Sequence, residues 1–445
     1  MRTRIMCLVL ILCSFVLPGY AYQSMSKEPD IRVGILSNQP NVVVSANIDF
    51  SIIDSDTNKV IAKYKPNEKV SISSTGSQMT VNGKAIKYKN LVITLKEVKG
   101  ECYNDVNRRR YRGQISLHQT IGKKGLTVVN TLPLEEYLLG VIAKEISPDW
   151  PVEAVKAQVV AARTYALASL NKHKNDGYDV CATTDCQVYG GRDSEANGAT
   201  KAVDATYGEA IYYQGKLISA YFHSSSGGYT ENSENVWGGA YPYLQGVADY
   251  DQKAPYYKWE KKYTVRELEA LLKIAGYNVG SLRAIELSSL TKQPVHSADR
   301  GVSGRVKEIR FVGTNGTAYI PGNKIRSILA LNSTLFDIAV IVSLQKPLEF
   351  EITDSAGDHQ TKEVDVNLPA YKQKPFLNDK GGIYRISNQT NDTVVFNGSG
   401  WGHGIGLSQW GAKAMAETAP KGDSTYFKEI LKHYYQGVDI KKAYR

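Results

Sequence analysis

A chain of 445 residues, 42% of them hydrophobic and free of long low-complexity tracts, is neither coreless nor wholly disordered, and it has room for about two or three domains. Its formal net charge of +10 favours acidic partners: nucleic acid, anionic lipid or the acidic polymers of a cell envelope. Tyrosine is unusually common, 29 residues against 9 phenylalanines. Such rings suit wet grooves that stack on sugars or bases, and equally the surfaces of amphipathic strands.

The first residues read as an address. Arg2 and Arg4 precede an apolar run from Ile5 to Pro18, and Gly19-Tyr20-Ala21 has small residues where a signal peptidase reads them. Residues 1–21 are therefore expected to be a secretory signal peptide. The run is shorter than the roughly 20 residues that span a bilayer, and no later segment reads as transmembrane. Cys13 follows a bulky Leu12, which makes it a poor lipoprotein site. The expectation is an exported protein of the periplasm, cell wall or extracellular space. Its partner would be an envelope polymer, not nucleic acid.

Residues 28–130 carry short apolar runs separated by turns such as Asp54-Ser55-Asp56 and Asn82-Gly83, which predicts a β-rich N-terminal lobe. At Thr131 the period changes: Leu134, Tyr137, Leu138, Val141 and Ile142 predict an amphipathic helix over Leu134–Ile146. Pro148 ends it. Pro151 opens a second helix, expected to run to about Lys172. A strand-rich stretch follows, then a helix over 264–275 and a strand at Arg305–Val312. Residues 346–392 are polar and weakly patterned, as in a long connection or peripheral insert. A strand at Thr393–Phe396, a glycine-dense turn and helices over Leu407–Glu417 and 426–434 close the chain. The predicted class is α+β. The lobe is followed by a mixed α/β catalytic core (131–260 and 393–445), which is interrupted by an inserted segment and connection (261–392).

Glu145 lies on the same stripe of its helix as Leu134, Leu138, Val141 and Ile142. A carboxylate there is partly desolvated, which raises its pKa, as a general acid working near neutral pH requires. The competing reading is a structural salt bridge to Arg163 or Lys156. Glu135 and Glu136, at the helix start, would complement its dipole.

The run Gly398-Ser399-Gly400-Trp401-Gly402-His403-Gly404-Ile405-Gly406 fits neither a dinucleotide fingerprint nor a P-loop. Its glycines let backbone pack closely, with Trp401 and His403 projecting. Phe222-His223-Ser224-Ser225-Ser226 lacks the elbow of a serine hydrolase, and its hydroxyls and His223 make a polar wall for a sugar instead. After signal removal Cys102, Cys181 and Cys186 remain. Export favours a Cys181–Cys186 disulfide. The other reading is half of a zinc site completed by His173 or His223, with Asp185 as a less typical ligand. Neither reading uses Cys102.

Together these segments resemble the SpoIID/LytB family, the stage II sporulation D lytic transglycosylases and the related amidase enhancers. The resemblance covers about Ile31 to the end and is weakest over 346–392. It rests on Leu132-Pro133-Leu134-Glu135-Glu136-Tyr137 with Val141 to Glu145, on Glu153-Ala154-Val155 to Tyr165, and on Asp185 to Gly191. Tyr221 to Thr230 and Gly400 to Gly411 complete it. It implies that Glu145 is the catalytic glutamate of a peptidoglycan lytic transglycosylase, which needs one carboxylate. The groove candidates for sugar contacts are Gln158, Arg163, Gln187, Tyr189, His223, Ser224, Ser225 and His403. Some clostridial relatives bind zinc near Cys181 and Cys186 with a His directly before the second Cys; here that residue is Asp185, so no cofactor is expected. The implied partners are glycan strands and, for an enhancer, an N-acetylmuramoyl-L-alanine amidase. No sporulation role follows from the sequence.

Overall fold

The computed structural model describes residues 25–76, 78–96, 101–341, 348–353, 359–364, 378–379, 382–386 and 392–445. The expected signal peptide over 1–21 lies outside them. The fold is mixed α+β, as expected, and its apolar side chains gather into three cores.

The first core fills the N-terminal lobe. One sheet runs, in spatial order, Val180–Cys181, Asp30–Gln39, Leu126–Pro133, Gln114–Gln119, Asn90–Leu95, Phe50–Asp54 and Val60–Tyr64. A second runs Arg109–Tyr111, Asn104–Val106, Asn41–Ala46, Val70–Ser74, Met79–Val81 and Lys84–Ile86. Alternation gives each sheet one buried face: Val42 and Val44, Phe50 and Ile52, Val70 and Ile72 point into the shared core. Val180–Cys181 adds to this sheet in parallel with Val33 and Gly34, which ties the segment that follows to the lobe.

Helix α1 (Leu134–Glu145) begins directly after Leu126–Pro133 and buries Leu134, Tyr137, Leu138, Val141 and Ile142 completely. Helix α2 (Val152–Ala168) ends earlier than expected, and it is buried on nearly every side. Val155, Val159, Ala162 and Ala166 join the first core. Ala154, Ala157, Val160 and Ala161 join a second, shared with Ile211, Leu244, Leu407 and Leu431. A helix sandwiched between two cores needs apolar residues all round, which is why α2 shows no single stripe.

Helix α3 (Asn197–Ala205) lies in a stretch expected to be strand-rich, and helix α4 (Ser233–Trp237) follows it. The third core is built by Trp259–Thr264, helix α5 (Val265–Ile274), Leu282–Glu286, Glu308–Gly313, helix α6 (Gly322–Ile328) and Phe336–Ile341. Its sheet takes in Thr393–Gly398 between Trp259–Thr264 and Phe336–Ile341. The expected connection over 346–392 holds a hairpin, Leu348–Thr353 against His359–Val364, and a strand Ile383–Arg385 paired with Leu282–Glu286. Helices α7 (Gln409–Glu417) and α8 (Phe427–Tyr434) return to the second core. Leu407–Ser408 pairs in parallel with Phe222–His223, which carries the glycine turn to the end of α1. Among the described residues no helix is long and apolar enough to cross a membrane.

Candidate active site

Glu145 is the last residue of α1, and Ile146 turns extended beyond it. The helix approaches the 188–191 segment closely because Gly140 has no side chain; a Cβ there would sit 2.5 Å from the Tyr189 ring. Gly190 N–H donates to the Gly140 carbonyl, and the same approach brings Val188 N–H to Glu145 Oε1 at 2.9 Å. The rest of the half-buried carboxyl faces a cleft of about 490 Å³. Thr184, Asp185, Cys186 and Val188 form its polar side, and Tyr165, Tyr221, Phe222, Trp237 and His403 form an aromatic wall.

Burial raises the Glu145 pKa, and the single hydrogen bond from Val188 opposes this without cancelling it. No ion pair holds Glu145 among the described residues, because the cations of the salt-bridge reading are engaged elsewhere. Lys156 pairs with Glu153 at 2.7 Å. Arg163 is fully buried and grips Glu135 through Nε and Nη2 at 2.9 and 2.6 Å, and its Nη1 donates to Thr206 Oγ1 and the Glu209 carbonyl. Glu135, in the first turn of α1 as expected, also accepts from Gly208 N–H and the Tyr444 hydroxyl, so it is a buried tie as well.

Several expected sugar contacts are therefore corrected. Arg163 and Gln158 lie on the enclosed α2 helix; Gln158 is fully buried and accepts from Gln409 Nε2, which also donates to the Glu145 carbonyl at 2.9 Å. Gln187 is 1% exposed, accepts from Tyr137 Oη and donates to the Ala162 carbonyl. Tyr189 is 2% exposed, and its hydroxyl donates to Asn130. Val188, between them, lines the cleft, while both neighbours are buried.

His223 is 5% exposed and bonded through Nδ1 to the Ile405 carbonyl. Ser225 is buried and accepts from Trp401 N–H, and Ser224 offers its carbonyl to Trp410 N–H. These residues clamp the glycine turn. His403 alone among them lines the cleft. Its Nε2–H donates to the Phe222 carbonyl and its Nδ1 accepts from Ile405 N–H, while burial brings its pKa down to about 3. It is a neutral wall, not a proton carrier. Gly406 (φ +68°) makes this turn possible, since a Cβ would sit 2.2 Å from the Tyr221 carbonyl.

Cys181 and Cys186 are free thiols, so the expected disulfide is not formed. Their sulfurs converge instead on His173 and Asp185, all four ligand atoms lying within 4.8 Å of one another. His173 Nε2 is 3.4 Å from Cys186 Sγ and 3.3 Å from Asp185 Oδ2, which is 3.8 and 3.7 Å from the two sulfurs. A zinc tetrahedron with Zn–S of about 2.3 Å and Zn–N of about 2.0 Å has edges of roughly 3.3–3.8 Å, so these residues fit that ion. Around them, His173 Nδ1 meets Asp176 at 3.2 Å, and Lys172 Nζ reaches Asp185 Oδ2 at 3.0 Å and Cys186 Sγ at 3.4 Å. The Lys172 hydrogen bond holds the Asp185 carboxyl below its usual range, whereas burial raises Cys186 to about 11. The sequence reading passed over Tyr165, Tyr221, Trp237 and Lys172. It also missed Asp185 as a second carboxylate in the cleft.

A family model described as stage II sporulation protein matches residues 122–213, and one for a domain of unknown function matches 242–355. An uncharacterised protein of Brachyspira hyodysenteriae (strain ATCC 49526 / WA1) is 36% identical over 71% of this chain and 68% of its own. The amidase enhancer of Bacillus subtilis (strain 168) is 32% identical over 77% of this chain, which spans 46% of that longer protein. The stage II sporulation protein D of Bacillus amyloliquefaciens is 31% identical over 71% of this chain and 76% of its own length. The matched residues include Glu145 and the cysteine cluster, and the chain belongs to the stage II sporulation protein D family.

Proposed function

We propose that the chain is an exported peptidoglycan lytic transglycosylase that cuts between N-acetylmuramic acid and N-acetylglucosamine. The observation that carries this reading is Glu145: a half-buried carboxyl with a raised pKa and no ion-pair partner among the described residues, at the foot of a cleft with one polar and one aromatic side. The protonated carboxyl donates to the bridging oxygen as the bond to muramoyl C1 breaks. The resulting carboxylate then takes the proton of the muramoyl C6 hydroxyl as that oxygen closes on C1. The product is a 1,6-anhydro ring, no water is consumed, and Glu145 ends protonated as it began.

His173, Cys181, Asp185 and Cys186 would hold a zinc ion. When bound, it would hold both cysteines as thiolates and supply a rigid cross-link beside the cleft. Lys172 and Asp176 orient these ligands, as groups outside a metal site commonly do. The proton steps at Glu145 do not pass through this cluster.

The name of the Bacillus subtilis relative favours a second reading, a non-catalytic protein that binds peptidoglycan and stimulates an amidase. Product analysis separates the two. Wild-type protein on purified glycan strands, with and without stem peptides, should yield 1,6-anhydromuramoyl ends. Glu145→Gln should lose at least about 10²–10⁴-fold of that rate while still binding strands. Absence of product from both, with equal stimulation of an added amidase, would favour the enhancer.

A further inference from the structure

Trp237 ends helix α4 and is 43% exposed. Its ring centroid lies 4.6 Å from that of Tyr221 and 4.9 Å from that of His403, and all three line the cleft that holds Glu145. Trp401 is exposed too, at 40%, but it packs on Tyr256 and does not line that cleft. Leaving a tryptophan face in water forgoes one of the largest apolar burials a side chain has.

The support beneath Trp237 is rigid. Glu231 is 1% exposed and accepts from Asn232 N–H, Asn235 Nδ2, Val302 N–H and Ser303. Asn232 Oδ1 takes Gly246 N–H at 2.7 Å, and Ser233 Oγ takes Tyr241 N–H at 2.9 Å. Gly238, at φ +78°, turns the chain away directly afterwards. The ring is thus held out by a fixed turn with one open part, a pre-organised surface whose ordering is not charged to binding.

We propose that Trp237 is the stacking platform for an N-acetylhexosamine ring of the glycan, in the cleft that also holds Glu145. The axial C–H face of a pyranose is apolar and flat enough to cover an indole. The neighbouring His403 is neutral, so the wall selects that face and not an anion. The inference rests on the glycan-cleaving reading of the same cleft and adds the residue that fixes ring position and affinity.

The full-length protein is titrated with the peptide-free N-acetylglucosamine tetramer and with peptide-free glycan strands, following tryptophan fluorescence and affinity. Binding should quench the wild type and Trp401→Phe but not Trp237→Phe. Trp237→Ala should bind roughly fivefold more weakly, as for loss of one aromatic contact, and Trp237→Tyr should recover most of this. With strands as substrate, KM should rise by the same factor and kcat stay nearly constant, because the stack is equal in ground and transition states. A thermal melt of each variant confirms folding. Wild-type affinity in Trp237→Ala, or a quench that disappears with Trp401→Phe instead, would overturn the platform while leaving Glu145 as acid and base. Failure of the wild type to bind either probe would overturn both.

Discussion

At Glu145 the same burial that prepares a proton donor destabilises the fold once that proton leaves. The raised pKa means that the folded chain keeps this proton to higher pH than the unfolded chain does. The sign follows: below the ordinary value of 4.5 the group is neutral in both states and contributes no difference, and stability is lost as pH rises through the folded pKa. Glu145→Gln removes that loss. Its melting temperature should match wild type in acid and exceed it increasingly towards neutral pH, as measured by calorimetry across the range. A constant offset at every pH would mean that Glu145 is not desolvated in the folded chain. The stripe of Leu134, Leu138, Val141 and Ile142 made this environment legible from the sequence. The fate of Arg163 and Lys156 was not, because their partners Glu135 and Glu153 are chosen by packing.

Two elements set the limits of sequence reading. Helix α2 carries two of the expected groove residues, Gln158 and Arg163, and the structure encloses both. Its alanines and valines occur on every face, and that signal of enclosure between two cores was present in the sequence. Arg163→Ala should leave Glu135 buried and unpaired and cost about 3–5 kcal/mol in denaturant unfolding. An unchanged midpoint together with lost glycan binding would return Arg163 to the groove. The loop from His173 to Cys186 is the second case. The five-residue cysteine spacing allowed disulfide or metal, and only the fold, which pins Val180–Cys181 beside Gly34 and curls Cys186 N–H back to Thr183, brings His173 and Asp185 to both sulfurs. Native mass spectrometry should find one zinc per chain, and chelation should lower the melting temperature and free both thiols. A Cys181–Cys186 disulfide in metal-free native protein would contradict this assignment.

Across the whole molecule, the cleft is assembled from the ends of α1 and α2, the 184–188 segment, the strand at Phe222–His223, helix α4 and the glycine turn. The sequence revealed the segments one by one, each with its own pattern. It could not show that Leu407–Ser408 lies along Phe222–His223, a pairing that buries His223 and Ser225 and turns His403 into the cleft wall. Trp237 had no periodic signal, since it sits in a helix of five residues. Juxtaposition also brings Asp185 into the cleft, and two carboxylates are what a hydrolase would use. The lytic transglycosylase account assigns Asp185 to the cysteine cluster and both proton transfers to Glu145. Digestion of glycan strands in ¹⁸O-labelled water, read by mass spectrometry, tests this most directly. The account predicts 1,6-anhydromuramoyl ends without solvent oxygen from the wild type and no such ends from Glu145→Gln. New reducing muramoyl ends that form in step with cleavage, and not in the absence of the protein, would contradict it.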